Sequence, residues 1–226
     1  MVSRDWLMAR IRQPASAAIA GIIFALILLA VMLLLRNAVP IGGPDAGRWA
    51  TPGGRRQDVA AALGLIPFAG IAFLWFIGVI RSQVGASEDR FVGTVFLGSG
   101  LLFVAMMFVA AAALTAVLVA VDSGVEVSAE ATSLASAFAS SLLGLFGARM
   151  AAVFIATVAT VGRRAGALPR WLVLSGYAVA VLLLVTPPLP SSLQYLFPVW
   201  ILVLSGYLLT GRHTAVRAPA VDPEKA

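Results

Sequence analysis

From residue 91 to residue 121 the chain runs for 31 residues without a charged side chain. As a helix such a run measures about 46 Å, against about 30 Å for the hydrocarbon core of a bilayer. Only SQVGASEDR, residues 82–90, separates it from another apolar run that stops at Arg81. Residues 66–103 therefore read as a transmembrane hairpin, the end of one span, a charged turn and the start of the next. A chain crossing lipid must satisfy its backbone polar groups internally, so the spans are helices.

The same pattern recurs along the sequence. Apolar stretches at about 15–35, 59–80, 91–121, 134–162, 171–187 and 193–210 predict an all-α polytopic transmembrane bundle of about six spans over residues 14–211. Hydrophobic residues make up 61% of the 226 and charged ones only 12%, where soluble domains average about 25% charged. With that composition and short connections there is no room for a separate soluble domain. A signal peptide is the rival reading of the first run, but its apolar part exceeds the roughly 7–15 residues such a peptide uses.

Local signals refine the boundaries. Residues 1–13, with Arg4, Arg10 and Arg12 beside Trp6, Leu7 and Ile11, suit an interfacial segment before a span that starts at Pro14. Asp58 can cap the second span, and Pro67 inside it predicts a kink near Gly64. Ser87 can cap the third, with Glu88 and Asp89 in its first turn favouring the helix dipole. Residues 212–226 are polar with two prolines and read as a disordered tail.

Six spans place both termini on one side. That side receives eleven Lys and Arg, and the other side four: Arg36, Arg48, Arg55 and Arg56, all in the first loop. The positive-inside rule then makes both termini cytoplasmic, with the first loop as dissenting evidence.

The candidate functional residues are few. Arg149 is the one basic residue inside a span, and an ionisable group at that depth needs a partner, water or the interface. It lies 14 residues before Arg163, about 21 Å along a helix, which leaves it within snorkelling reach of the far boundary. Asp122, Glu126 and Glu130 are its candidate ion-pair partners, and an anion or a lipid headgroup its candidate ligand. Ser140, Gly144 and Gly147 belong to a small-residue stripe on the same helix that suits close helix packing. Leu-Val-Leu-Ser-Gly-Tyr occurs twice, at 172–177 and 202–207, so that Ser175-Gly176 and Ser205-Gly206 are candidates to meet at one crossing.

Several chemistries lack their residues. Cysteine is absent, which removes disulfides and thiol chemistry. Gly98-Ser99-Gly100 superficially resembles the serine of six-span rhomboid proteases, but the one histidine is His213 in the tail, out of reach of a span serine. No span holds Asp or Glu, which argues against an aspartyl protease or a carboxylate proton relay. The basic residues stand at span ends rather than in a soluble patch, so nucleic acid is not expected as a partner. No cofactor is expected.

The hairpin sequence IPFAGIAFLWFIGVIR, continued by EDRFVGTVFLGSGLLF, resembles a segment shared by uncharacterised multi-span membrane proteins of actinobacteria and other high-GC bacteria. It covers about a sixth of the chain. The resemblance implies a multi-pass membrane fold and carries no activity. The expectation is a non-catalytic accessory or interaction protein of a bacterial inner membrane, in contact with lipid and with a protein partner or a second copy. The alternative is a small transporter or channel component that handles an anionic solute or lipid through Arg149.

Overall fold

The computed structural model describes residues 4–39, 49–50, 55–84, 90–185 and 193–210, with the side chains of 4–15, 82–84 and 90 left aside. The expected caps Ser87, Glu88 and Asp89 and the tail 212–226 lie outside the described residues. Among those residues all regular secondary structure is helical, with no strand. The helices are α1 (Arg4–Ala38), α2 (Arg55–Val84), α3 (Arg90–Asp122), α4 (Ala129–Arg164), α5 (Arg170–Val185) and α6 (Leu196–Leu209), the last preceded by a 3-10 turn over Leu193–Tyr195.

Several boundaries differ from those read in the sequence. α1 passes through Pro14 instead of starting there. α2 starts at Arg55, which puts Asp58 in its first turn, where it favours the dipole without being the cap. Pro67 lies inside α2, as read for the second span. α4 begins five residues before the expected span, because Ser128 caps it by accepting the amide of Ala131 at 3.2 Å. Gly166, at φ +64°, ends α4 by letting the amide of Ala167 turn back to the carbonyl of Gly162.

Four helices are long and apolar enough to cross a membrane: Ser16–Ala38, Arg55–Arg81, Phe91–Asp122 and Ala129–Arg164. The stretches expected as the fifth and sixth spans form shorter apolar helices. At 16 residues α5 is about 24 Å long, against about 54 Å for the 36 residues of α4.

Successive helices alternate in direction. α1 packs on α2 and α6, and α4 packs on α3 and α5, with α6 between α1 and α4. At the centre Phe24, Phe73, Phe103, Phe154 and Phe197 meet from five helices, with Phe24 stacked on Phe73 at 4.3 Å and Phe103 edge-on to Phe197 at 4.7 Å. Nearby, Gly100 lets Ile77 and Phe154 close on the backbone of α3, since a Cβ there would stand 2.6 Å from Ile77 Cδ1. Ser99 is buried and donates to the carbonyl of Phe96 at 3.1 Å.

A second apolar cluster closes the end of the bundle where α1 finishes and α2 begins. Ala38, Val39, Trp49 and Ala50 pack there against Val59, Leu118 and Ala139. The Trp49 indole donates to Ser136 Oγ at 2.9 Å.

Candidate functional site

The α5–α6 pair stops short, and its length decides where a cavity forms. The side chain of Gln194, in the 3-10 turn before α6, rests on Gly144 of α4, where a Cβ would come within 2.8 Å of Nε2. From Gly144 α4 runs on for 15 more residues to Ala129, about 22 Å that α5 and α6 do not accompany. α1 to α4 continue together, and the space between them is a cavity of about 350 Å³. That volume lies within the range of small-molecule sites.

Its walls are apolar: Leu28 and Val31 from α1, Ile66 from α2, Met107 and Leu114 from α3, and Ala151 from α4. Phe103 and Phe197 of the aromatic centre form its floor. The polar members of the lining are Arg36, Ser136, Ser140, Gln194 and Tyr195. The Tyr195 hydroxyl stands 3.5 Å from the carbonyl of Met32 and ties α6 to α1 at the rim. Arg36 is the one charged residue of the lining and is exposed at the mouth.

Arg149 does not line this cavity. It stands 15 residues from Arg164 and 20 from Ala129, roughly mid-way along α4, half-buried. Its Nη1 donates to the carbonyl of Leu145 at 2.6 Å. The cause is local: residues Leu142–Gly147 form a π turn, in which the amide of Ala148 reaches back five residues to Leu143. Such a turn disturbs the carbonyl ladder of the helix, and the guanidinium occupies one of the displaced carbonyls.

None of the expected ion pairs with Arg149 forms among the described residues. Asp122 pairs with Arg56 instead. Glu126 and Glu130 are exposed, and Glu130 lies 19 residues along α4 from Arg149, about 28 Å. A separation of that size rules out contact. Replacing Arg149 by leucine should therefore leave the fold intact, with a stability change within about 1 kcal/mol in detergent-driven unfolding, because one carbonyl contact is lost and a charge is removed. A loss of several kcal/mol would show that the guanidinium holds α4 together.

The small-residue candidates fall in separate places. Ser140 lines the cavity, Gly144 receives Gln194, and Gly147 faces Phe103 at 3.9 Å from its Cβ position. The two Ser-Gly pairs do not meet. Trp171 lies edge-on to Tyr207 at 6.5 Å and Gly176 lies against Trp200, a register that offsets the pairs by about four residues, near 6 Å. Gly176 also admits Ala159 of α4, and Ser175 donates to the carbonyl of Leu172 at 2.9 Å. Ser205 is buried against Gly21, and Gly206 has open space beside it.

Arg36, Gln194, Tyr195 and Trp49 are the residues that sequence reading passed over. One signal was present: Leu28, Met32, Leu35, Arg36 and Val39 recur at three-to-four spacing, which places Arg36 on the inward stripe of α1 rather than merely at its end.

The fold is thus an all-helical bundle in which four helices can cross a membrane and an apolar cavity carries a single cation at its mouth. No protein family, no curated protein and no solved structure matches the chain.

Proposed function

We propose that this chain is a non-catalytic, multi-pass protein of a bacterial inner membrane that holds a small anionic amphiphile. In this reading α5 and α6 complete six crossings and both termini are cytoplasmic. The apolar part of the ligand fills the cavity and its anionic group meets Arg36. The observation that carries the reading is the lining itself, apolar on its walls and floor with one guanidinium at the opening. A guanidinium recognises carboxylate or phosphate through paired donors and needs no further charge nearby. The likeness of residues 66–103 to high-GC bacterial membrane proteins belongs to the same proposal.

The test is thermal unfolding of the protein in a nonionic detergent, with laurate compared with dodecanol. A ligand at a hundred times its dissociation constant stabilises the folded state by about 2.7 kcal/mol. Laurate should raise the midpoint of the wild type, and Arg36→Gln should lose that rise while keeping any smaller response to dodecanol. Arg149→Leu should retain the laurate response. If Arg149→Leu abolishes it and Arg36→Gln does not, the alternative of a transporter or channel component acting through Arg149 takes its place. No response to either compound would sink the reading.

A further inference from the structure

We infer that the ligand is an anionic lipid of the bilayer itself, which reaches the cavity sideways between α1 and α4, over the end of the α5–α6 pair. This rests on the proposed binding of an anionic amphiphile and names its source.

Three observations point the same way. First, the cavity is closed along the bundle axis among the described residues. The aromatic centre forms its floor, and the cluster around Trp49, itself 2% exposed, closes the end where α1 meets α2. Second, among the described residues no helix stands between α1 and α4 beyond the 3-10 turn that holds Gln194. The lining residues on this side, Met32, Leu35, Ser140, Leu143 and Gln194, are partly exposed, whereas Val31, Ile66 and Met107 deeper in are buried. Third, the surface that flanks the opening is itself apolar. Leu33 on α1 and Phe138 on α4 are 52% and 51% exposed, as side chains facing lipid are.

Arg36 completes the fit. It lies one helical turn beyond Met32 on the same face of α1, toward the bundle end that carries Arg55, Arg56 and Asp122. A chain that slides in from the hydrocarbon would leave its headgroup at that charged level, where the guanidinium meets the phosphate. The apolar flanks are wetted by acyl chains, and the cation favours an anionic headgroup over a zwitterionic one.

The absence of cysteine permits a direct test on the full chain. Ser140→Cys on the rim and Ser123→Cys, exposed in the turn after α3, are each labelled with a bimane fluorophore and reconstituted into phosphatidylcholine vesicles. Small amounts of phosphatidylglycerol or phosphatidylcholine with a doxyl group on the acyl chain are then added. Quenching at position 140 should saturate with the phosphatidylglycerol probe at several-fold lower amounts than with the phosphatidylcholine probe. Arg36→Gln should abolish that preference, and Ala111→Phe, which fills the cavity from α3, should reduce the saturable quenching to the level of the lipid background. Position 123 should show neither effect. Met32→Cys, on the opposite rim, repeats the measurement if a label at 140 disturbs the opening.

Strong quenching of position 140 by aqueous iodide, with no saturable lipid effect at either rim position, would overturn sideways access. If the laurate response that depends on Arg36 persists in that case, an amphiphile is still bound but comes from water. If both the lipid preference and the laurate response are missing, the binding reading fails with it.

Discussion

Phe73→Ala is expected to destabilise the protein by about 3 kcal/mol, read as an earlier midpoint in detergent-driven unfolding. Phe73 is fully buried and touches the rings of Phe24, Phe76, Phe103, Phe154 and Phe197 at centroid distances of 4.3, 6.2, 5.7, 5.1 and 5.8 Å. Phe→Ala in a soluble core costs about 3–5 kcal/mol through lost transfer energy and the cavity left behind. In a membrane the separated helices remain in an apolar medium, so the transfer part shrinks and packing dominates. Ring pairs worth roughly 0.5–1.5 kcal/mol each beyond their burial keep the total near the lower end of that range. Phe73→Leu fills part of the space and should lose less. A change below about 1 kcal/mol would mean that the five helices do not close on this ring.

Trp49→Ala should cost a similar amount, about 3 kcal/mol, though Trp49 lies between α1 and α2 and outside every helix. Its indole is buried among Ala38, Val59, Leu118 and Ala139, and its Nε1 donates to Ser136 Oγ. Ser136 itself donates to the carbonyl of Thr132 at 2.9 Å, so removing the indole orphans no serine proton, and the cost is the emptied volume. Trp49→Phe keeps most of that volume and loses one hydrogen bond, an expected change of about 1 kcal/mol. Equal losses for the two substitutions would place the energy in the hydrogen bond rather than in packing. Trp49→Ala should also open the cavity to water at this end, so that aqueous iodide quenches a rim label it could not reach before.

The class of fold was legible because long apolar runs leave the helix as the structure that satisfies its own backbone hydrogen bonds. The helices found at 90–122 and 129–164 follow the apolar stretches read in the sequence to within about five residues. The boundaries that moved did so for local reasons: a proline that a long helix tolerates at position 14, and a cap at Ser128 that draws α4 out beyond its apolar part. The candidate site was less legible. Arg149 stood out because it is the one charge inside a span, yet the π turn at Leu142–Gly147 gives its side chain a carbonyl of its own helix and leaves it outside the cavity. The repeated Leu-Val-Leu-Ser-Gly-Tyr suggested a crossing that the register of α5 against α6 does not produce.

Composition and the spacing of charges by themselves determined that this chain is helical, that its helices are long and apolar, and where most of them begin and end. Those properties depend on each residue's affinity for water and on backbone hydrogen bonds within one segment, both of which are written locally. Only the tertiary structure decided that the described parts of α5 and α6 stop some 22 Å short of the start of α4, that Trp49 packs over that end of the bundle, and that Arg36 rather than Arg149 lines the cavity there. A cavity is a volume that several helices fail to fill. Its position depends on their relative lengths and register, which no single stretch of sequence contains.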